Sequence, residues 1–407
     1  MTTPRRRFRF LQEIAEGGFG RVYLAEQISP DGFSRIVAVK LLHAKWSQHD
    51  EVAMRTRDEA RLLGLIRHQN IVKVEDLTSI DGKCALVMEY LEGVDLKWVI
   101  TFLKERKGTF PRAAALEIAS SVASALDAAW NGVPMQRGEP LRVIHRDIKP
   151  SNVFVTTAGQ VKVLDFGTAR ANFAEREART QSIAFGSQGY MAPERTLGEA
   201  DTPAGDVFSL GVTLYEVLAL ETFGSFPPRP VRFQTKLDEK LAATPLAGDP
   251  AFTDGVRDLV RRMLAWDPKE RLTAAEVVER AEDLAPKAGD DGLRRLSRTI
   301  VVEAKAALPP MEPGEDPLTG RVVDEDPSAP QRLTAPPPPP VRTLTPAQPR
   351  RSDEGVPPDR TSATRPMPPR PSGSAGLLLL AVVAGFAIVS LGLVLVLVAA
   401  GSFVWLR

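Results

Sequence analysis

The sequence is poor in the residues that build covalent cross-links and metal clusters. It has one cysteine, Cys84, so no intrachain disulfide can form, which fits a reducing compartment. Beside Ala85 and Leu86, that thiol reads as a small apolar core residue. The histidines His43, His49, His68 and His145 are scattered and offer no zinc-ligand spacing. A dominant charge is missing too. The formal net charge is +1, which favours neither nucleic acid nor an acidic partner. Near the start, Arg5, Arg6, Arg7 and Arg9 have no apolar run behind them, so the segment is not a secretory signal and the N-terminal part is expected in the cytoplasm.

What is present divides the 407 residues into zones. Residues 8–284 read as folded. Gly20–Glu26, Ile36–Leu42 and Ala85–Tyr90 are short β-branched or apolar runs, with Asp31-Gly32 and Asp81-Gly82 as hairpin turns. From about Pro111 the period becomes helical: Ala115, Ile118, Ala119, Val122, Ala125 and Leu126 share a face, as do Leu210, Leu214, Val217 and Leu218. Strands first and helices later predict an α+β fold in two segregated parts. Residues 285–375 hold more than half of the 34 prolines and no aromatic residue, which predicts a disordered, proline-rich linker. Residues 376–400 carry no charge. At about 1.5 Å per residue they suffice to cross the ~30 Å hydrocarbon core of a bilayer, so one transmembrane helix is expected. Arg350, Arg351, Arg360, Arg365 and Arg370 precede that span and Arg407 alone follows it. The positive-inside bias therefore places the upstream side in the cytoplasm and residues 401–407 as a short tail outside.

Within the folded zone several motifs fall in one order. Ile14-Ala15-Glu16-Gly17-Gly18-Phe19-Gly20-Arg21-Val22 is a glycine-rich stretch in a hairpin. Glycines there let backbone amides approach phosphate oxygens. Val37-Ala38-Val39-Lys40 follows on a strand, then Glu59 on a predicted helix, nine residues before His68-Gln69-Asn70-Ile71-Val72. Leu86-Val87-Met88-Glu89-Tyr90-Leu91 is next, then Asp95. His145-Arg146-Asp147-Ile148-Lys149-Pro150-Ser151-Asn152 is the most specific signal, with Asp165-Phe166-Gly167 thirteen residues beyond Asn152. Met191-Ala192-Pro193-Glu194, Asp206-Val207-Phe208-Ser209-Leu210-Gly211 and Trp266-Asp267-Pro268-Lys269-Glu270-Arg271 complete the series.

Together these motifs resemble the bacterial branch of the eukaryotic-type (Hanks-type) protein kinases. The resemblance implies a bilobal protein-kinase fold, with a small β-rich N-lobe and a larger helical C-lobe. It implies transfer of the ATP γ-phosphate to serine or threonine hydroxyls of protein substrates, with Mg2+ or Mn2+ as cofactor. By resemblance Lys40 holds the α- and β-phosphates and pairs with Glu59. Ile14 through Gly20, Val22, Ala38, Met88, Glu89 and Leu91 surround the nucleotide, and Asp95 stands where an acidic ribose contact is frequent. Asp147 accepts the hydroxyl proton, Lys149 steadies the transferring phosphate, and Asn152 and Asp165 hold the metal. Lysine at position 149 is the serine/threonine form. Thr180 and Ser182 are activation phosphosites by position, with Arg146 as a phosphate receiver; Ser187 stands where the family places a substrate-loop threonine. Asp206 and a Glu194–Arg271 pair read as structural.

Two departures stand out: Ala15 replaces the first glycine of the loop, and Trp130–Arg142 is longer than the minimal connection before the catalytic loop. The resemblance leaves a homodimer open, while the uncharged span points to an enzyme at the cytoplasmic membrane, held by its C-terminal helix, and the balanced charge to one free of nucleic acid. A catalytically inactive scaffold of the same fold is the alternative. Such chains lose the equivalents of Lys40, Asp147 or Asp165, and all three are present here.

Overall fold

A computed structural model of the chain describes residues 5–17, 20–43, 64–134, 138–166, 187–309 and 318–326. Gly18, Phe19, Glu59, Thr180, Ser182 and the expected span at 376–400 lie outside them. Among the described residues no helix is long and apolar enough to cross a membrane.

The small lobe is an antiparallel sheet of β1 (Arg7–Gly17), β2 (Gly20–Ile28), β3 (Ser34–Leu42), β4 (Val74–Ile80), β5 (Lys83–Glu89) and β9 (Val322–Asp324), in the order β4-β5-β3-β2-β1-β9. The period of two along β3 sorts its side chains. Val37, Val39 and Leu41 enter a buried cluster with Phe8, Phe10, Tyr23, Val87 and Leu318, whereas Ala38 joins the main core with Met88 and Leu86. The expected hairpin turns are present, with Gly32 at φ 88°, Asp81 at 53° and Gly82 at 70°. In the first hairpin Ala15 pairs with Val22 and Gly17 with Gly20. Ala15 is an exposed strand residue, so its methyl group is accommodated. Gly20 is the constrained position, because a Cβ there would lie 2.1 Å from the Leu41 carbonyl oxygen.

The large lobe is helical: α1 (Leu96–Glu105), α2 (Arg112–Asn131), α3 (Pro193–Thr196), α4 (Pro203–Ala219), α5 (Pro230–Ala243), α6 (Pro250–Met263) and α7 (Ala274–Leu284). Its second sheet joins β6 (Gly93–Asp95), β7 (Val153–Thr156) and β8 (Val161–Val163). The helical period read from the sequence is that of α2 and α4. The alanine-rich faces of α2 are buried against α7 and α4, small side chains permitting close approach. The long connection after Trp130 is pinned to α2: the Val143 amide donates to the Ala129 carbonyl and Arg142 Nη1 donates to Asn131 Oδ1 at 2.8 Å.

The chain does not leave the fold at Leu284, where the composition predicts a linker to begin. It continues through α8 (Leu293–Leu296), a π turn (Ser297–Val301) and α9 (Val302–Ala306), then returns as β9 on the small lobe. Leu293, Leu296, Val301 and Ala304 recur at helical spacing and are buried in the main core. Averaging over residues 285–375 hides them, because the proline runs lie mostly beyond Asp326.

Candidate active site

The loop that carries Asp147 is held by its backbone. Asp206, in the first turn of α4, accepts the amides of His145 and Arg146, each at 2.7 Å. Burial pushes the Asp206 carboxyl up, against the pull of those two amides. Arg146 sits at φ 72°, a left-handed conformation costing about 1–2 kcal/mol for a non-glycine residue. The amide bonds to Asp206 offset that cost. His145 is buried. Its Nδ1 accepts the Asp147 amide at 3.2 Å, which leaves Nε2 to donate to the Leu164 carbonyl at 2.8 Å. The ring meets Phe166 edge-on at 4.6 Å. His145 thus joins the catalytic loop to the Asp165 turn.

Asp147 is oriented from two sides. Lys149 Nζ donates to Oδ2 at 2.8 Å, and Asn152 Nδ2 donates to the Asp147 carbonyl at 2.7 Å and to Oδ2 at 3.1 Å. Among the described residues both bonds to the carboxylate fall on Oδ2 and none on Oδ1. The same bonds fix the Asn152 amide, with its nitrogen committed to Asp147 and its oxygen available as a ligand. Leu164 N–H donates to the Asn152 carbonyl at 2.9 Å and sets Asp165 beside it.

On the opposite wall, Lys40 of β3 reaches across the cleft and donates to Asp165 Oδ1 at 2.5 Å. Among the described residues this is its carboxylate partner; the expected partner Glu59 lies outside them. Crowding by protein would raise the Asp165 carboxyl, but Lys40 chiefly, with His145 and Lys149, holds it below the usual carboxylate range. Its side chain stays 44% exposed, so it can meet a ligand. Asp165 and Asn152 offer oxygen donors of the kind magnesium takes beside substrate phosphates, so the residues fit that ion.

The hinge residues expected around the nucleotide divide in role. Ala38 pairs with Met88 across β3 and β5, and both lie in an apolar cluster against which Val22 packs. Ile14 and Glu16 lie on β1, and Leu91 is half-buried beyond β5. The Glu89 carboxylate is committed to the Lys162 ammonium at 2.7 Å and the Lys73 amide at 2.8 Å, so it braces the hinge. Asp95, placed in the sequence reading at a ribose contact, caps α1: its Oδ1 accepts the Trp98 amide at 2.7 Å. Burial pushes this carboxyl up.

On the substrate side, Ser187 opens a tight turn (Ser187–Tyr190) ahead of α3. Arg271 grips Glu194 through two bonds of 2.6 and 2.7 Å, as expected. Two features were not legible beforehand. Asp201 bridges Arg146 Nε at 2.9 Å and Arg195 Nε at 2.6 Å, so the arginine expected to receive a phosphate already faces a carboxylate. Tyr190 donates its hydroxyl to Glu216, and burial followed by that carboxylate pushes the phenol well up. Both contacts join residues whose spacing matches no motif, so the sequence carried no signal for them.

A lysine and a carboxylate facing each other across an interlobe cleft, above a positioned aspartate and amide, define a phosphate-transferring catalytic domain. The protein kinase domain family matches residues 8–281, and the chain belongs to that family. It resembles the tyrosine-protein kinase MasK of Myxococcus xanthus, 32% identical over 274 residues that cover 65% of this chain and 41% of that protein. It also resembles the serine/threonine-protein kinase PrkC of Bacillus subtilis (33% identical, 67% and 39% covered) and the serine/threonine-protein kinase PknA of Mycobacterium tuberculosis (33%, 65% and 58%). The chain spans less than two thirds of each of these relatives. Among solved structures, the PknI kinase domain of Mycobacterium tuberculosis is 25% identical, with a TM-score of 0.48 and coverage of 68% of this chain and 96% of that one.

Proposed function

We propose that the chain is a protein serine/threonine kinase that uses ATP with a divalent cation. The observation that carries this is the catalytic loop itself: Asp147 is held by Lys149 and Asn152 through one carboxylate oxygen, the other bonded to none of the described residues, beside Asp165 and Lys40. Magnesium, when bound, would offset the negative charge that gathers on the transferring phosphate. Asp165 and the Asn152 amide oxygen are the residues to hold it. Lys40 takes phosphate oxygens when the nucleotide enters. Asp147 Oδ1 accepts the proton of the acceptor hydroxyl, and Lys149, already beside that carboxylate, lies where it can offset charge on the transferring group. Lys149 supports serine or threonine as acceptor. One relative bears the name of a tyrosine kinase, so acceptor type belongs in the test.

The test is label transfer from radioactive ATP to a general protein acceptor and to the chain itself, followed by phosphoamino-acid analysis. Asp147→Asn should lower the rate by about 10²–10⁴-fold, the scale of general-base loss, while the fold survives. Equal transfer by wild type and variant rejects the mechanism, and phosphotyrosine as the main product rejects the acceptor class. No transfer by the wild type would leave the inactive scaffold.

Placement belongs to the same proposal: the kinase domain faces the cytoplasm, held by a span at residues 376–400. The uncharged run and the arginines before it support this. Protease applied outside spheroplasts should leave the kinase domain uncut; digestion there rejects the orientation.

A further inference from the structure

The small lobe is completed by a segment that phosphate transfer does not use. Leu318–Asp326 lies across both edges of the sheet. On the β1 edge, Gly320 N–H donates to the Phe10 carbonyl at 2.9 Å, Phe10 N–H to Arg321 at 3.0 Å, and Glu325 N–H to Arg6 at 2.9 Å. At the β4 edge, Asp326 N–H donates to the Ser79 carbonyl at 3.0 Å, and its Oδ2 accepts the Ser79 hydroxyl at 2.6 Å and the Gly82 amide at 2.9 Å. Glu325 accepts the Thr78 hydroxyl at 2.5 Å and Arg6 Nε at 2.9 Å, and Arg6 also pairs with Asp76. Leu318, 2% exposed, fills the buried cluster beside Phe8 and Phe10. One short segment therefore closes an otherwise open sheet, satisfying edge groups on strands that are not neighbours.

The chain leading into that segment is anchored elsewhere. Trp98 Nε1 donates to the Ala304 carbonyl at 2.7 Å, and Lys305 pairs with Glu92 at 2.5 Å. Glu92 and Trp98 flank β6, directly after the hinge strand β5. One stretch of chain thus holds the hinge side of the large lobe and then the far edges of the small lobe. The strand it clasps, β1, continues into the glycine-rich hairpin.

We propose that Leu318–Asp326 is a latch with docked and undocked states, and that docking pre-organises the β1–β2 hairpin for ATP. Docked, β1 is held on both sides; undocked, it is an edge strand held by β2 alone. Whatever follows Asp326 is attached to the small lobe, so displacement of that downstream chain acts on the nucleotide site by shifting the latch population. This inference rests on reading the hairpin as the roof over ATP.

The experiment uses the full chain and the double variant Glu325→Ala, Asp326→Ala. Hydrogen exchange and ATP binding with magnesium are measured, both without turnover. Exchange in peptides covering Arg6–Phe10 and Ser79–Gly82 should accelerate by on the order of tenfold, while α4 keeps its protection. The ATP dissociation constant should rise by about fivefold as the competent fraction falls. Unchanged exchange at both edges overturns the latch. Faster exchange with unchanged ATP affinity overturns its coupling to the nucleotide site. A wild type that binds no ATP contradicts the kinase reading and the coupling, while the exchange readout still decides whether the latch exists. If α4 also loses protection, the double variant has unfolded. Ser79→Ala, which removes a single hydroxyl bond to Asp326, then gives the same readouts on a smaller scale, and no change in its edge exchange overturns the latch.

Discussion

Replacing Arg271 with methionine should destabilise the large lobe more than any other single change near the site. The Arg271 side chain is 0% exposed and that of Glu194 4%. Arg271 gives Glu194 both of its terminal nitrogens, and also donates to the carbonyls of Ala265 (2.7 Å), Ala204 (3.1 Å) and Trp266 (3.1 Å). Its guanidinium lies 4.9 Å from the Phe208 ring centroid. Methionine fills much of the volume but leaves Glu194 buried and unpaired. Removing one partner of a buried pair costs about 3–5 kcal/mol. With a urea slope near 3 kcal/mol/M, the midpoint should fall by about 1–1.7 M. Fluorescence and circular dichroism should be followed together to check that the transition is single. Glu194→Leu combined with Arg271→Met removes both charges and should regain at least half of the loss. Because α3 also carries Arg195, whose Nη1 bonds the Arg146 carbonyl at 2.6 Å, the single variant should weaken protein-substrate binding before it weakens ATP binding. A midpoint shift below about 0.3 M, or a double variant as unstable as the sum of the singles, would refute this reasoning.

Three further outcomes are expected. Lys40→Met and Asp165→Ala should each lower phosphoryl transfer by several orders of magnitude with little change in melting temperature, since the proposed mechanism has both side chains act on the phosphates and the metal; near-wild-type turnover by Asp165→Ala rejects the assignment. The chain should phosphorylate itself at Thr180 or Ser182, and full activity in the Thr180→Ala, Ser182→Ala double variant would show that loop phosphorylation is not the switch. Mass spectrometry of wild type against Asp147→Asn locates the phosphate, whose charge must compete with Asp201 for Arg146. The edge of the small lobe should loosen only in acid. Burial would raise the Glu325 carboxyl, but Arg6 and Thr78 hold it below the ordinary glutamate range. A carboxylate with a depressed folded-state pKa contributes stability that is present above its unfolded value and lost as pH falls through the folded one. Exchange protection at Arg6–Phe10 should therefore hold at neutral pH and vanish only below the ordinary glutamate range; loss near pH 6 would contradict the assignment.

The catalytic constellation was legible because phosphate transfer demands particular residue types at short, fixed spacings. Asp147, Lys149 and Asn152 lie within one loop, and local chain geometry alone nearly suffices to bring them together. The strands and helices of both lobes were legible for the same reason, since their periods are local. Where a residue has a second use, local spacing does not show it: Asp95 stands at a ribose position, and its carboxylate also caps α1 three residues on, because a helix start leaves amides unsatisfied.

The sequence by itself determined the family, the order of the two lobes and the identity of the chemical groups. Tertiary structure alone decided how distant segments meet. Asp201 faces Arg146, Glu89 is braced by Lys162, Asp206 carries the catalytic loop by its amides, and the chain after Leu284 returns to close the small lobe. Each of these joins residues tens to hundreds of positions apart. Such contacts arise from burial of apolar faces and satisfaction of edge hydrogen bonds in three dimensions. A short apolar strand such as Val322–Asp324, set among prolines and acids, shows its partner only when the open edges of the sheet are in view.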